Sequence, residues 1–310
     1  MKKVALVFPG QGSQYVGMGK DLYGRSPAAK QVFIEANEVL GYDLSSLCFQ
    51  GPEEDLKLTA NTQPAILTVA VAAWRMMQTD RGIAPLAAAG HSLGEYGALV
   101  AAGGLRFRDA VRLVHLRGKF MQEAVPVGVG AMAAIMGLSP AEVEALCREA
   151  AQGEVLSPAN FNCPGQIAVS GHAAAVKRAV EIVSKQAGKK AVLLPVSAPF
   201  HCPLMKPAAE RLGEAFAPVE AGDLQFPVIS NVEADVYPGK DRIKELLFQQ
   251  VDHPVRWEES MRRMAALGPD LVLEVGPGKV LSGLMRRISR EVPTANVEDG
   301  TTWEKVKGLL

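Results

Sequence analysis

A serine between two glycines is the strongest chemical signal in this sequence. Residues 90–94 (GHSLG) match the Gly-x-Ser-x-Gly pattern, in which small flanking residues let the backbone turn sharply and present one hydroxyl. Residues 83–89 are small and apolar, which is typical of a buried strand, and residues 95–102 favour a helix that Gly103 would end. Because the motif requires a strand before the turn and a helix after it, we predict that Ser92 is a nucleophile.

A serine hydroxyl needs a neighbouring base that accepts its proton. Three of the five histidines are disfavoured by their position before the serine, within a helix or at a helix start: His91, His115 and His172. His201 and His253 both follow Ser92, as the base does in sheet-based serine enzymes. We favour His201, because prolines two residues away on each side restrict its backbone. His253 stays a candidate, since Asp252 beside it could orient its ring.

A glycine-rich loop follows the first apolar segment. Residues 9–19 (PGQGSQYVGMG) resemble a dinucleotide-binding loop, but Tyr15 stands where the fingerprint needs a third glycine. Residues 31–36 favour a helix and offer no acidic residue at the end of a second strand. We therefore exclude dinucleotide binding. In folds of this kind the loop next to the serine supplies a donor to an oxyanion, which makes Gln11 a candidate; a turn that only packs is the alternative.

An arginine beside the apolar face of a helix is a candidate anion site. Residues 107–121 predict an amphipathic helix with Val111, Val114 and Met121 on its buried side. Arg117 lies three positions after Val114, so its side chain is expected beside this apolar stripe. The sequence leaves open whether Arg117 is paired within the core or binds an anion.

The overall composition is that of a globular enzyme. The 310 residues are 48% hydrophobic and 21% charged, with 33 basic and 33 acidic side chains. With no net field, neither nucleic acid nor an anionic membrane is an expected partner. The apolar start of the chain is broken too early for a signal peptide, and no segment is long enough to span a bilayer. Four cysteines without a Cys-x-x-Cys pair argue against a metal site and against disulfides, so we predict a cytoplasmic protein.

The order of elements predicts an α/β fold with two units. Residues 125–198 read strand-helix-strand-strand-helix-strand, which is the order of a ferredoxin-like unit. We expect this small subdomain to be inserted into a large α/β-hydrolase-like subdomain, formed by residues 1–124 and 199–310 around a parallel sheet with the serine turn. The small unit's strands are expected at residues 127–136, 155–162, 166–171 and 191–196, and two later strands of the large unit at residues 226–231 and 270–275.

A long apolar helix is expected to support the serine turn. Residues 61–74 are mostly small or apolar, which indicates a largely buried helix. Thr62 is a suitable cap, and Pro64 would then lie in the first turn, where proline is tolerated.

Several motifs, taken together and in order, resemble the malonyl-CoA:acyl carrier protein transacylases, and they are also similar to the acyltransferase domains of polyketide synthases. The resemblance extends over nearly the whole chain. The matching segments are residues 9–14, 90–95, Arg117 with 121–124, 162–166, 200–201, 254–257 and 274–278.

This resemblance implies roles for individual residues. Ser92 would accept the acyl group and His201 would be its base. The backbone carbonyl of Gln250 would orient the imidazole in place of a carboxylate. The backbone N–H groups of Gln11 and Leu93 would form the oxyanion hole.

The resemblance also implies a substrate and its selection. Arg117 would form a bidentate pair with the free carboxylate of a malonyl group. Phe200 would crowd an α-methyl branch, and we place Met121 and Asn162 with it at the substrate because they belong to matched motifs. The reaction would be ping-pong, from malonyl-CoA through Ser92 to acyl carrier protein, with coenzyme A entering only as part of a substrate and no cofactor.

Two other functions remain open at this point. A serine hydrolase or thioesterase would use the same turn, and a non-catalytic carrier-binding protein could keep the same fold. Intact Ser92, His201 and Arg117 argue against the second of these, and Arg117 argues weakly against the first.

Overall fold

The computed structural model describes residues 2–196 and 198–310, and its strands fall into two separate sheets. In chain order the strands are β1 (Val4–Phe8), β2 (Pro85–Gly90), β3 (Gly130–Met136), β4 (Leu156–Cys163), β5 (Gln166–His172), β6 (Lys190–Leu193), β7 (Val228–Ile229), β8 (Leu271–Val275) and β9 (Thr294–Val297). The α-helices are α1 (Lys20–Arg25), α2 (Pro27–Leu40), α3 (Leu44–Gln50), α4 (Glu53–Lys57), α5 (Thr59–Asp80), α6 (Gly94–Ala101), α7 (Phe107–Glu123), α8 (Pro140–Ala151), α9 (Ala173–Ser184), α10 (Lys206–Phe216), α11 (Ile243–Gln249), α12 (Trp257–Ala266), α13 (Val280–Ile288) and α14 (Gly300–Lys307).

The larger sheet is parallel, with the strand order β7-β2-β1-β8-β9. Its central strands β1 and β8 are buried along their whole length, which explains why β1 is entirely apolar and why Glu274 is the one polar residue of β8. Phe8 at the end of β1 pairs in register with Gly90 at the end of β2. The loops that leave these strands therefore begin side by side at the carboxyl edge of the sheet, where α/β proteins place their sites.

The turn between β2 and α6 is packed so closely that only glycine fits at its flanks. A Cβ atom on Gly90 would lie 1.9 Å from the carbonyl carbon of Gly94, and one on Gly94 would lie 2.0 Å from the Phe8 carbonyl oxygen. Ser92 between them has φ 52°, a left-handed conformation that is strained for a residue with a side chain. The predicted strand, turn and helix around Ser92 are therefore present.

The smaller sheet is antiparallel, with the order β4-β5-β3-β6, and α8 and α9 pack against it over a core of its own. Its elements follow the predicted strand-helix-strand-strand-helix-strand order. Strand β4 of this sheet is tied to the segment between α11 and α12, where Val255 donates to the Ala159 carbonyl at 2.8 Å and Phe161 donates to the Val255 carbonyl at 2.9 Å. The α/β class with two sheets is confirmed, whereas the exact domain limits at 124/125 and 198/199 stay a prediction.

Three predicted strands are shorter than the sequence suggested. The strand expected from residue 127 begins at Gly130, because Gly128 has φ 86° and Val127 is exposed. The strand expected to reach residue 196 ends at Leu193, since Val196 donates back to the Leu194 carbonyl in a tight turn. The segment 226–231 contributes only the two residues of β7.

The predicted start of the supporting helix was wrong. Helix α5 begins at Thr59, so Pro64 lies inside it and not in its first turn. Proline lacks the N–H that would bond the carbonyl of Ala60, but the ring Nδ1 of His115 donates to that oxygen at 2.9 Å. Thr62 is not the cap either, because its hydroxyl donates to the Leu56 carbonyl at 2.6 Å. A side chain on α7 thus compensates for the proline, which a local pattern cannot show.

Within residues 2–196 and 198–310, no helix is both long and apolar enough to cross a membrane.

Candidate active site

Ser92 is held in its strained turn by two side chains from distant loops. Its backbone N–H donates to Asn231 Oδ1 at 2.7 Å, and Asn231 Nδ2 donates to the Gly90 carbonyl at 2.7 Å. Its carbonyl oxygen accepts from Gln250 Nε2 at 2.9 Å. These contacts satisfy the backbone groups on both sides of the serine and fix the direction of its hydroxyl.

His201 is the histidine that the fold brings to Ser92. Its Nε2 lies 2.7 Å from Ser92 Oγ, and its Nδ1 lies 2.8 Å from the backbone carbonyl oxygen of Gln250. A carbonyl only accepts, so Nδ1 carries the hydrogen and Nε2 can accept the serine proton. His253 instead contacts Asp252 and the Gln249 carbonyl in an exposed position.

The surroundings keep the His201 ring neutral. It is 4% exposed, and burial, followed by the nearby positive charge of Arg117, lowers its pKa from 6.5 to about 3. A neutral imidazole hydrogen-bonded to a hydroxyl is the protonation state that a general base needs.

Arg117 reaches the serine from α7 and is itself buried, at 1% exposure. Its Nη2 donates to Ser92 Oγ at 3.0 Å and to Gln250 Oε1 at 2.9 Å, while Nη1 donates to Gln63 Oε1 at 2.9 Å. Its Nε has no hydrogen-bond partner among the described residues, and its guanidinium lies 5.9 Å from the centre of the Tyr96 ring. A buried guanidinium bonded only to uncharged oxygens is suited to receive an anion.

A cavity of about 530 Å³ connects these groups to solvent between the two sheets. Ser92, His201 and Arg117 line it, together with the predicted site residues Gln11, Leu93, Met121 and Phe200. The Gln11 side chain points its amide towards Thr59 Oγ1 at 3.5 Å, so a donor to the substrate at this position would be its backbone N–H. Leu93 stands at the N-terminus of α6, where the partial positive charge of the helix favours an anion.

Asn162 lies outside this cavity. It lines a smaller adjoining cavity of about 240 Å³, and its Oδ1 contacts His91 Nε2 at 2.9 Å. Because the Oδ1 of Asn162 is an acceptor, His91 donates through Nε2 and links the serine turn to the smaller sheet. The prediction that Asn162 contacts substrate stays a prediction; Asn160, which the sequence did not single out, lines both cavities.

Sequence reasoning also missed residues that surround the serine and arginine. Gln63 was read only as part of a scaffold helix, although it lines the cavity and binds Arg117. Asn231 follows β7 at the carboxyl edge of the parallel sheet, and that position is the signal that could have found it. Glu95 was read as part of the serine motif, with no function assigned to it.

Comparison with known proteins agrees with this geometry. The profile of the acyl transferase domain family matches residues 5–305, so the chain belongs to that family. Malonyl CoA-acyl carrier protein transacylases of Bacillus subtilis and Escherichia coli are 50% and 51% identical to it, over 98% and 93% of this chain and 96% and 93% of their own. The resemblance stated from the sequence motifs is therefore confirmed.

Solved structures show the same fold. An acyl carrier protein S-malonyltransferase from Vibrio cholerae superposes with a TM-score of 0.95 at 49% identity, over 98% of this chain and 99% of its own. A malonyl-transacylase in complex with its type II PKS acyl-carrier protein superposes with a TM-score of 0.96 at 47% identity, over 99% of this chain and 100% of that one.

Proposed function

We propose that this protein transfers a malonyl group from malonyl-CoA to the phosphopantetheine thiol of acyl carrier protein. The observation that carries the proposal is one cavity in which a serine–histidine pair meets a buried arginine with no charged hydrogen-bond partner among the described residues. The pair supplies a nucleophile, and the arginine selects an acyl group that carries a carboxylate. The names of the similar proteins support the same substrate and carrier.

The first half of the reaction loads the enzyme. His201 Nε2 accepts the proton of Ser92 Oγ while Oγ attacks the thioester carbonyl carbon. The backbone N–H groups of Gln11 and Leu93 donate to the oxyanion. The carbon–sulfur bond then breaks, and the coenzyme A thiol leaves with the proton from His201, so that a malonyl ester remains on Ser92.

The second half unloads the enzyme through the same groups. The carrier thiol gives its proton to His201 and attacks the ester carbonyl, and Ser92 Oγ leaves with that proton. The Gln250 carbonyl keeps the His201 ring in one tautomer through both halves. Side chains and backbone groups perform every proton transfer, so we propose no cofactor.

Substrate selection is assigned to Arg117 and to the walls of the cavity. The planar guanidinium would pair with the malonyl carboxylate through two parallel hydrogen bonds. An acetyl group would leave that buried cation without an anion, and the loss of such contacts costs a few kcal/mol. Phe200 and Met121 would limit branching at the α carbon, and Asn162 would contact the substrate further along its chain.

Cytoplasmic location remains part of the proposal. The four cysteines are free and buried, which fits a reducing compartment.

Intact-mass measurement after exposure to malonyl-CoA tests the proposal directly. We expect one malonyl adduct on the wild-type protein, removal of the adduct when carrier protein is added, and no adduct on Ser92→Ala. Acetyl-CoA should give much less adduct, and methylmalonyl-CoA less than malonyl-CoA.

The same experiment separates transfer from hydrolysis. A malonyl adduct that disappears equally fast without carrier protein would indicate a thioesterase. Carrier binding with no adduct from any acyl-CoA would indicate a non-catalytic protein. Full transfer activity in Ser92→Ala would contradict the proposed mechanism.

A further inference from the structure

Glu95 is a buried carboxyl group that has no part in the acyl transfer described above. It lies in the first turn of α6, three residues after Ser92, and is 1% exposed. One carboxylate oxygen accepts from the Tyr237 hydroxyl. The other accepts from the backbone N–H of Asn231 at 3.1 Å and from Gln250 Nε2 at 2.6 Å.

The carboxylate fixes the orientation of the Gln250 side chain. Its Nε2 donates to Glu95, and its Oε1 accepts from Arg117 Nη2 at 2.9 Å. A carboxylate only accepts and a guanidinium only donates, so the amide between them has one possible orientation. One neutral amide thereby joins a buried anion to a buried cation.

This arrangement has an electrostatic consequence for the site. Because the amide stands between the two charges, Glu95 partly balances Arg117 without occupying its N–H groups. Burial lowers the pKa of Arg117, and the negative charge of Glu95 opposes that lowering. The same negative charge repels any carboxylate bound at Arg117, and such a repulsion is only weakly screened in a buried site.

We propose, on the basis of the malonyl transfer proposed above, that Glu95 is a positioning residue that acts on Arg117 through Gln250 and limits how tightly the acyl carboxylate is held. A malonyl group must leave Ser92 as readily as it arrives. Interactions that stabilise the enzyme-bound malonyl group and the transition state equally do not raise kcat. Weaker binding of the carboxylate therefore favours turnover.

The ionisation of Glu95 adds a pH dependence to this effect. Burial raises the pKa of its carboxyl to about 7, although its three donors and Arg117 favour the anion. The titratable groups around it are Tyr96 on its own helix, Tyr237 after β7, Arg117 on α7 and His201. Burial raises the pKa of both tyrosines and lowers that of His201 to about 3, so Glu95 is the group of this set that titrates near neutrality.

The substitution Glu95→Gln removes the charge and can keep the contacts. Its amide oxygen can accept from Gln250 and Asn231, and its amide nitrogen can donate to the Tyr237 oxygen. At about pH 8, where Glu95 is ionised in the wild type, we expect the KM for malonyl-CoA to fall roughly threefold to tenfold and kcat to fall with it. The KM for acetyl-CoA, which lacks the carboxylate, should not change.

A pH series gives a second readout that a purely structural role would not produce. The KM of the wild type for malonyl-CoA should rise as the pH passes upward through about 7, while that of Glu95→Gln stays flat. Glu274→Gln is the matched control, because Glu274 is also buried and accepts from the backbone N–H groups of Leu281 and Ser282. It should lower the Tm and leave the KM for malonyl-CoA unchanged.

Calorimetry makes this inference independent of turnover. Monomethyl malonate carries the same carboxylate, and Glu95→Gln should bind it more tightly than the wild type does. Equal or weaker binding by a folded Glu95→Gln, or an equal fall of the KM in Glu274→Gln, would overturn the role of Glu95. A wild type that forms no malonyl adduct would overturn the proposed function alone, because the calorimetric comparison still decides the role of Glu95.

Discussion

Arg117 is a buried cation that donates its described hydrogen bonds to uncharged side-chain oxygens. Its acceptors are Gln63, Gln250 and the Ser92 hydroxyl itself. Removing a guanidinium from water costs several kcal/mol, and neutral acceptors recover only part of that. In the unloaded site the buried charge of Arg117 is therefore incompletely compensated, and a bound carboxylate would compensate it.

Replacing Arg117 should change which acyl group the serine accepts. Arg117→Lys keeps a positive charge but loses the planar fork, and we expect kcat/KM for malonyl-CoA to fall about 100-fold, with little change for acetyl-CoA. Competition between the two acyl-CoA substrates, read by intact mass, measures this ratio. Arg112→Ala, on the exposed side of α7, is the control and should keep the wild-type ratio. An unchanged ratio in Arg117→Lys would exclude Arg117 as the selector.

The low pKa of His201 predicts how activity and stability depend on acid. Because the folded-state pKa is about 3 and the ordinary value is 6.5, the ring stays neutral and basic well below pH 6.5. At saturating malonyl-CoA we expect the single-turnover acylation rate of Glu95→Gln, which lacks the carboxyl whose pKa is about 7, to show no titration near pH 6.5. A rate that halves near that pH would indicate an ordinary, solvated histidine.

The sign of the stability effect follows from the same shift. A lowered folded-state pKa contributes stability that is fully present above pH 6.5 and is lost as the pH falls towards 3. The urea midpoint of the wild type should therefore decrease over that window more steeply than that of His201→Gln, which cannot be protonated there.

At the residue scale, the sequence predicted the reacting groups better than their supports. Ser92 could be predicted because its turn needs small neighbours within one short motif. Apart from the family resemblance, His201 was favoured over His253 only by the stiffness of its loop. Asn231 and the side chain of Gln250 lie more than a hundred residues away in the sequence, and their contacts with Ser92 depend on where the fold places the ends of β7 and α11. No local pattern encodes that packing.

The contact between β1 and α6 makes the serine turn sensitive to one added carbon atom. In Gly94→Ala the new Cβ would overlap the Phe8 carbonyl oxygen, and backbone cannot move aside as a flexible side chain can. We expect a loss of about 2–4 kcal/mol in the free energy of unfolding, measured by urea denaturation. Gly283→Ala in α13 is the matched control, because its Cβ would meet no atom within 4 Å and alanine favours a helix by about 0.5–1 kcal/mol. Equal stability of the two variants would contradict the close packing.

At the element scale, strands were predicted by type more reliably than by length. The buried strand β8 was expected at residues 270–275 and spans Leu271–Val275, because four of its five residues are apolar. The ends of β6 and the start of α5 depend on contacts made by other elements, as the His115 ring on α7 shows for Pro64. A proline inside a helix is tolerated here only because a side chain from another helix occupies the unpaired carbonyl.

At the scale of the whole molecule, the proposed transfer requires a surface that docks the carrier protein, and in a protein with no net charge an attraction to an acidic carrier would have to come from local basic residues. Arg286, Arg290 and Lys190 are exposed, whereas Arg287 already donates to Gln166 and the Pro164 carbonyl. Reversing the charge of Arg286, Arg290 and Lys190 together should raise the KM for carrier protein about tenfold at low salt and leave the KM for malonyl-CoA unchanged. Steady-state kinetics at two salt concentrations measure both values. An unchanged KM for carrier would place docking on another face.

The four cysteines of this protein are expected to be chemically unreactive. Each thiol is buried, and burial raises the pKa of Cys48 and Cys147 to about 12 and also raises that of Cys163 and Cys202. An exposed thiolate would take the acyl group from a thioester by thiol–thioester exchange. These four thiols stay protonated and inaccessible. One cysteine introduced on the surface would consequently be the sole site for a maleimide dye or a crosslink to the carrier.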